Sequence, residues 1–383
     1  MVLIEKSLLN RRAVRLKAMQ NLYAFYVCKQ ANYECALDQI RLDFTPDVFA
    51  DPPADKEQLA RDQTQALALF QSLFKTAQTT NPETSAYDGQ VAAVVAKARL
   101  NYENEVAKDL KRLQSSWEVA VNKIRQACLY ILQLLIAWTD VALQQAERPK
   151  LSQQPSNWGP PFLAHNRILE RLRANTAFTH LVKQHTISWA DKADLVVSWY
   201  NQFVKNKATL QYDSSQITTL TQEKELLVDL LQAIILEKEA IQEFFSDLDL
   251  SWIEHKQIVS KMLSQALAML EKNTEKDTSL KILESSTASE EARHFYTDLI
   301  SKTLAQDQEL DAVIKQHIKN WTIDRVMLLD KTILKLAMCE MIYFERIPVK
   351  VSMNEYLDLS KAYSTPKSSQ FINGILDAVA KTR

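Results

Sequence analysis

Apolar residues recur at the three- to four-residue spacing of an amphipathic helix along nearly the whole chain. This pattern predicts a first helix at about residues 11–29 and an unusually long helix at about 84–147. Proline-rich breaks at about 44–53 and 149–161 interrupt it. Other helices are predicted at about 56–79, 162–184, 190–206, 219–246 and 251–272. The pattern therefore predicts an all-α protein.

The pattern tightens towards the C-terminus, where a predicted helix at about 324–345 is apolar on most of its sides. Such all-round apolarity is typical of the central, buried helix of a bundle. Helices at about 291–305 and 307–319 precede it. Two more follow, and the first of these has Ser352 and Glu355 at the spacing of a capping box.

Glycine is scarce, with only Gly89, Gly159 and Gly374 in 383 residues. Hairpins and phosphate-binding loops need glycine for positive backbone angles and close approach, so this scarcity argues for helices and against a nucleotide-binding α/β domain. Gly374 falls inside the last predicted helix, where it costs ~1 kcal/mol relative to alanine. That cost predicts a close contact with another helix at this position.

The net charge is −1, so any nucleic acid must be bound by a local basic patch. The first thirty residues supply one, in which a single acid, Glu5, stands against Lys6, Arg11, Arg12, Arg15, Lys17 and Lys29.

Cysteine usage and the N-terminus predict a cytoplasmic protein. The four cysteines form no CxxC pair, which fits a reducing compartment, and the N-terminus lacks the apolar stretch of a signal peptide. The most apolar run, Ala127 to Trp138, is too short to span a bilayer. No Walker loop, GxGxxG or GxSxG occurs, and no two histidines stand at i, i+4. We therefore predict neither an enzyme, nor a cofactor, nor a metal site, nor a membrane partner.

Two segments far apart in the chain carry a family resemblance. The first is Asn10 to Phe25, with the sequence NRRAVR at its start and QNLY near its end. The second lies within about residues 292–380 and contains IPVKVSMNE from Ile347 and FINGILDA from Phe371. Together they resemble the NusB family. The chain departs from the family pattern at Ala13, which interrupts a run of basic residues, and at Lys367, where an acid is common.

The resemblance implies a NusB-like helical bundle with a large inserted helical region. Residues 1–40 would form the first helix of an RNA-binding core, 289–383 its remainder, and 41–288 the insertion. The implied function is that of an RNA-binding transcription antitermination factor acting on ribosomal RNA operons. The implied partners are boxA-like ribosomal leader RNA, a NusE-type small-subunit ribosomal protein and, indirectly, the RNA polymerase elongation complex.

The candidate RNA-binding residues begin with Arg11, Arg12 and Arg15, which share about a 100° sector of the first helix. Guanidinium groups pair with phosphates and stack on unpaired bases. Arginine at a helix N-terminus is unfavourable to the helix dipole, so the cluster needs another reason. Tyr23 and Phe371 are candidate stacking platforms, although aromatic residues at helical spacing are usually core.

Lys350 and Lys367, predicted in turns beside the last two helices, are candidates for phosphate contact, although exposed lysines are common in turns. Glu340 and Glu345, on the predicted central helix, are candidates for the NusE-type partner, or for salt bridges on the bundle surface. The competing hypothesis for the whole chain is a helical protein–protein interaction scaffold without RNA binding. The near-neutral charge and the long insertion favour that alternative.

The end of the insertion also resembles the C-terminal core at a constant offset of 69 residues. Asp229-Leu230 then aligns with Asp298-Leu299, and Trp252 with Trp321. Segment 226–263 is therefore predicted to echo segment 295–332 as a second small bundle.

Overall fold

The computed structural model describes residues 11–46, 55–75, 89–147, 161–204, 219–273, 280, 283, 287–318 and 322–381. Within these ranges the regular structure is helical and contains no strand, so the all-α prediction is confirmed there. The helices are α1 Arg11–Asp43, α2 Lys56–Lys75, α3 Gly89–Glu147, α4 Pro161–Ala164, α5 Arg167–Ala174, α6 Thr176–Gln184, α7 Ala193–Trp199, α8 Leu220–Glu237, α9 Glu239–Leu248, α10 Trp252–Lys272, α11 Thr287–Ala305, α12 Asp307–His317, α13 Leu328–Tyr343, α14 Val349–Tyr363 and α15 Pro366–Lys381. Two short 3₁₀ helices, Ala190–Lys192 and Ile323–Arg325, and a π-helical turn, Tyr200–Val204, complete them.

Several helices differ from their predicted extents. The first helix continues to Asp43, well past its predicted end, and α3 is 59 residues long, as expected of the long predicted helix. The region predicted as one helix at 162–184 is divided into three. Asn166 and Asn175 cause the two breaks, because each side chain accepts hydrogen bonds from backbone N–H groups in the first turn of the following helix.

The described chain divides into two compact units. The terminal unit comprises Arg11–Trp117 and His294–Arg383, and the middle unit comprises Glu118–Arg293. The terminal unit is built around α13, which packs against α1, α12, α14 and α15. Residues 332–341 of this helix are all buried, which confirms the predicted central helix. The predicted division at residues 40 and 288 stays a prediction.

The terminal unit contains a second, smaller core away from α13. It joins the C-terminal half of α1 to α2 and the N-terminal part of α3 through Ala36, Leu37, Ile40, Phe44, Ala66, Leu69, Phe70, Val91, Val95, Ala98 and Tyr102. This core explains why α1 continues beyond its predicted end: its second half has apolar neighbours of its own to pack against.

The middle unit packs α5, α8, α9 and α10 around the C-terminal part of α3. The Trp138 indole N–H donates to the Val196 carbonyl over 3.0 Å, so its polar atom is satisfied inside the core. Helix α3 is long and apolar enough to cross a membrane by length and composition, with a window of mean hydropathy 1.5. Because 67% of that window is buried and the core helices of other proteins pass the same test, this is weak evidence for a membrane span.

Two local predictions are wrong. Nothing lies within 4 Å of a Cβ built on Gly374, so this glycine faces open space and not a neighbouring helix. Ser352 and Glu355 do not cap α14, because the helix begins earlier, at Val349, after Pro348. Ser352 instead donates from its hydroxyl to a Glu340 carboxylate oxygen over 2.6 Å inside the core.

The order of helices in the middle unit is repeated in the terminal unit. At the predicted offset, α8 and α9 align with α11 and α12, and a turn separates α9 from α10 as expected. Helix α10 begins at Trp252, but α13 begins only at Leu328, seven residues after the aligned position. The same aligned positions are buried, namely Leu226 with Phe295, Leu227 with Tyr296, Leu230 with Leu299, Leu231 with Ile300, Ile241 with Leu310 and Phe245 with Ile314. Trp321 lies outside the described residues. Equivalence of the two arrangements in space stays a prediction.

Candidate functional site

The first helix is fixed to the central helix by a buried ion pair between Arg15 and Glu340. The Arg15 Nε lies 2.9 Å from Oε2 and its Nη2 lies 2.7 Å from Oε1 of Glu340, a bidentate arrangement. Both residues are inaccessible, with Arg15 at 2% and Glu340 at 0% exposure. Glu340 also accepts from the hydroxyls of Ser352 and Tyr356, so α1, α13 and α14 meet at one carboxylate.

The protonation states of this cluster follow from its burial and charges. Burial by itself lowers the pKa of Arg15, but the hydrogen bonds and charge of Glu340 raise it overall, so the guanidinium stays charged. Burial, together with the Glu340 carboxylate, raises the pKa of Tyr356 well above its ordinary value. The Tyr356 hydroxyl therefore remains a hydrogen-bond donor at neutral pH.

This burial removes two residues from the predicted site. Arg15 is enclosed and paired, so its guanidinium cannot reach a phosphate in this structure. Glu340 is fully buried, so it cannot face a protein partner. Both side chains instead hold the fold together. Glu345 is exposed, but it lies in the turn after α13 and not on the helix.

Arg11 and Arg12 are exposed at the start of α1. The Arg11 guanidinium lies over the Phe295 ring at 5.8 Å from its centroid, and Arg15 approaches the same ring at 5.5 Å. Arg12 reaches Asp358 on α14 over 3.3 Å, and both side chains of this pair are about half exposed (55% and 46%). Exposed ion pairs contribute little free energy, so Arg12 can exchange Asp358 for another anion at low cost.

A second anchor joins α1 to α13 near the middle of the helix. The buried Lys335 ammonium of α13 lies 2.7 Å from Asp307 and 2.9 Å from Asp311 of α12. The Tyr26 hydroxyl of α1 donates to Asp307, and its ring lies 5.1 Å from the same ammonium. With two anchors, the position of α1 along the central helix is fixed, and so is the placement of its first turn.

The other predicted RNA-binding residues lie on three helices. Lys350 and Lys367 are exposed, in the first turns of α14 and α15 and not in the turns before them. Phe371 is half-buried one turn after Lys367. Tyr23 is 38% exposed on α1 and lies roughly 16 Å along the helix from Arg12 at 1.5 Å per residue.

Three aromatic and basic residues beside the arginines were missed from the sequence. Phe295 of α11 contacts Phe344, which follows α13, edge to face with a centroid distance of 5.4 Å. The Lys302 ammonium lies 4.7 Å from the Phe344 centroid and donates to the Tyr343 carbonyl over 3.4 Å. The sequence did not indicate that Phe295, Phe344 and Lys302 lie together, because no helical periodicity links Phe344 to the other two.

Among the described residues, no group of three or more His, Cys, Asp or Glu side chains could hold a metal ion. The candidate site consists of arginines, lysines and aromatic rings. These features define an all-helical bundle protein with a basic, partly aromatic edge at the start of its first helix.

Comparison with known proteins identifies the family. The model of the NusB family matches residues 253–381, a range that includes α10 but not α1. A transcription antitermination protein NusB from Bacillus mycoides is 32% identical over 118 residues, which are 31% of this chain and 91% of that protein. The chain belongs to the NusB family.

Other relatives match over a shorter part of their length. The proteins of the same name from Chloroherpeton thalassium and Salinibacter ruber are 41% and 40% identical over 87 residues, 23% of this chain. The chain covers 41% and 54% of their respective lengths. A solved NusB structure from T. maritima is 24% identical, with coverage of 43% of this chain and 93% of that one and a TM-score of 0.24.

Proposed function

We propose that this protein is a non-enzymatic, cytoplasmic RNA-binding factor for transcription antitermination on ribosomal RNA operons. Its RNA ligand is a boxA-like leader sequence, bound together with a NusE-type small-subunit ribosomal protein. Through these partners it acts on the RNA polymerase elongation complex. Membership of a family whose named relatives are transcription antitermination proteins supports the process.

One observation carries the RNA-binding part of the proposal. Arg11 and Arg12 are exposed at the first turn of a helix that two buried anchors hold in place. Arginine is unfavourable at a helix N-terminus, so the cluster needs another reason. Because the helix is already held in place, phosphate contacts by these arginines would carry no ordering cost for the helix. Lys350, Lys367, Tyr23 and Phe371 are further proposed contacts on the same unit, and Glu345 is the remaining proposed contact for the protein partner.

A fluorescence anisotropy titration tests the proposal. Labelled boxA-like RNA and a shuffled RNA of equal composition are titrated with the full chain, with and without the NusE-type protein. We expect tighter binding of the boxA-like RNA, a further gain with the partner, and a loss in the Arg11→Gln/Arg12→Gln variant. Equal affinity for both RNAs, or no binding of either, contradicts the proposal. Binding of the ribosomal protein without RNA supports the scaffold alternative instead.

A further inference from the structure

The turn between α13 and α14 is a corner on which basic side chains gather. The segment Phe344–Lys350 carries Arg346 and Lys350, both exposed, and Lys302 of α11 folds onto it through the Phe344 ring. Two acids lie near this corner. Glu345 is within the segment, and Glu309 is close enough to Tyr343 that its charge adds to the effect of burial in raising the pKa of Tyr343. The corner therefore holds three cations from two elements that are distant in sequence.

Aromatic rings connect this corner to the arginines of α1. Arg11 lies over Phe295, Phe295 contacts Phe344, and Phe344 lies under the Lys302 ammonium. Cation, ring, ring and cation thus form one continuous strip across α1, α11 and the end of α13. Phe295 is buried at 9% exposure, so its ring links Arg11 to Phe344 and offers no surface to a base. What the strip presents to single-stranded nucleic acid is its cations, which can follow the phosphate backbone.

We infer that Lys302 and Arg346 are further RNA-contact residues, which bind phosphates of single-stranded RNA as it continues from Arg11 towards Lys350. The inference rests on the proposed function and extends it to residues that no sequence pattern indicated. Lys302 has a fixed position, because the carbonyl of Tyr343 at the C-terminal end of α13 accepts its hydrogen bond. A cation at a helix C-terminus is favoured by the dipole, so the ammonium is held in place while phosphate is absent.

The test compares two double variants that lose the same charge. Lys302→Gln/Arg346→Gln removes the inferred contacts, and glutamine keeps a donor for the Tyr343 carbonyl. Lys315→Gln/Arg61→Gln is the control, because both of its residues are exposed on other helices, α12 and α2. Binding of boxA-like RNA with flanking nucleotides is measured at several salt concentrations. Each lost phosphate contact reduces the magnitude of the slope of log K against log salt by about 0.7. The slope of the first variant should therefore be smaller by about 1.4, and that of the control should be nearly unchanged.

The outcomes separate this inference from the proposed function. If the wild type binds RNA and Arg11→Gln/Arg12→Gln weakens it, but Lys302→Gln/Arg346→Gln matches the control, the inference is wrong and the proposed function stands. If the wild type binds no RNA, both fall. A loss of NusE-type protein binding with unchanged RNA affinity also overturns the inference. If the double variant folds poorly, the salt dependence of RNA binding is measured on Arg346→Gln alone, which changes an exposed turn position.

Discussion

Arg15 in the first helix and Glu340 in the central helix are 325 residues apart in sequence, yet they form a bidentate ion pair in the core. Removing one partner of a buried pair leaves the other charge unpaired. Arg15→Ala should therefore lower the free energy of unfolding by about 3–5 kcal/mol. Urea denaturation measures it, with Arg12→Ala, whose pair is exposed, as a control costing about 0–1 kcal/mol.

A double replacement distinguishes a lost pair from a lost packing contact. Arg15→Met/Glu340→Leu removes both charges and should be less destabilised than Arg15→Ala, because Glu340 is no longer left buried without its arginine. The partly exposed Glu355, which lies 3.6 Å from Arg15, loses its cation in both variants. Recovery is expected to be incomplete, since Ser352 and Tyr356 lose their acceptor. A double variant as unstable as Arg15→Ala would show that the ion pair is not what the arginine contributes.

The sequence was sufficient for the helical class and the central helix, but not for sorting the arginines. All-round apolarity identified α13 because a helix that is buried on every side has apolar residues on all of its faces within one short segment. Arg11, Arg12 and Arg15 share one sector of a helix, and the partner that pairs with the buried Arg15 lies 325 residues away in the sequence. The available signal was the i, i+3, i+7 spacing of Arg15 with the buried Ala18 and Leu22.

Non-local contacts also explain the other corrections. Glu340 on an apolar helix has the same sequence pattern as an interface residue, and only the packing of α14 places Ser352 and Tyr356 around it. The capping-box spacing of Ser352 and Glu355 occurs one turn inside α14, where Ser352 has a stronger, charged acceptor. The strip through Phe295, Phe344 and Lys302 joins two elements whose contact no local pattern records.

Gly374 is an exposed glycine inside α15 with open space around its Cα. Gly374→Ala should raise the free energy of unfolding by up to about 1 kcal/mol, because alanine favours the helix and restricts the unfolded chain. Thermal and urea denaturation measure it. A destabilised variant would contradict the open environment, whereas a stabilised variant with weaker RNA binding would place a ligand against this position.

Phe371 is half-buried on α15, which leaves part of its ring for a base. Phe371→Ala should weaken RNA binding by about 1–3 kcal/mol, the range for one stacked base. Its effect on stability should be smaller than that of Phe70→Ala, a fully buried ring for which about 3–5 kcal/mol is expected. Unchanged RNA affinity together with a stability loss as large as that of Phe70→Ala would assign Phe371 to the core.

The cysteines should divide by accessibility. Cys28 and Cys35 are exposed, whereas Cys128 and Cys339 are buried, and burial raises the pKa of the Cys339 thiol to about 11. Ellman's reagent at neutral pH should label the first two quickly and the others only on unfolding. As the pH rises from about 9 to about 11, the unfolded chain loses this proton while the folded chain keeps it, so stability falls. The stability of Cys339→Ala should fall less steeply over that range. A pH profile identical to that of the wild type would contradict the raised pKa of Cys339.

The salt dependence of RNA binding tests the central claim, that the first turn of α1 is an RNA-binding surface, most directly. With three to five phosphate contacts, the wild-type slope of log K against log salt should be roughly −2 to −3.5. Arg11→Gln/Arg12→Gln should reduce its magnitude by about 1.4, whereas the equally charged control Arg61→Gln/Lys315→Gln should leave it unchanged. A slope in the arginine variant equal to that of the wild type, with the fold intact, would remove α1 from the RNA site.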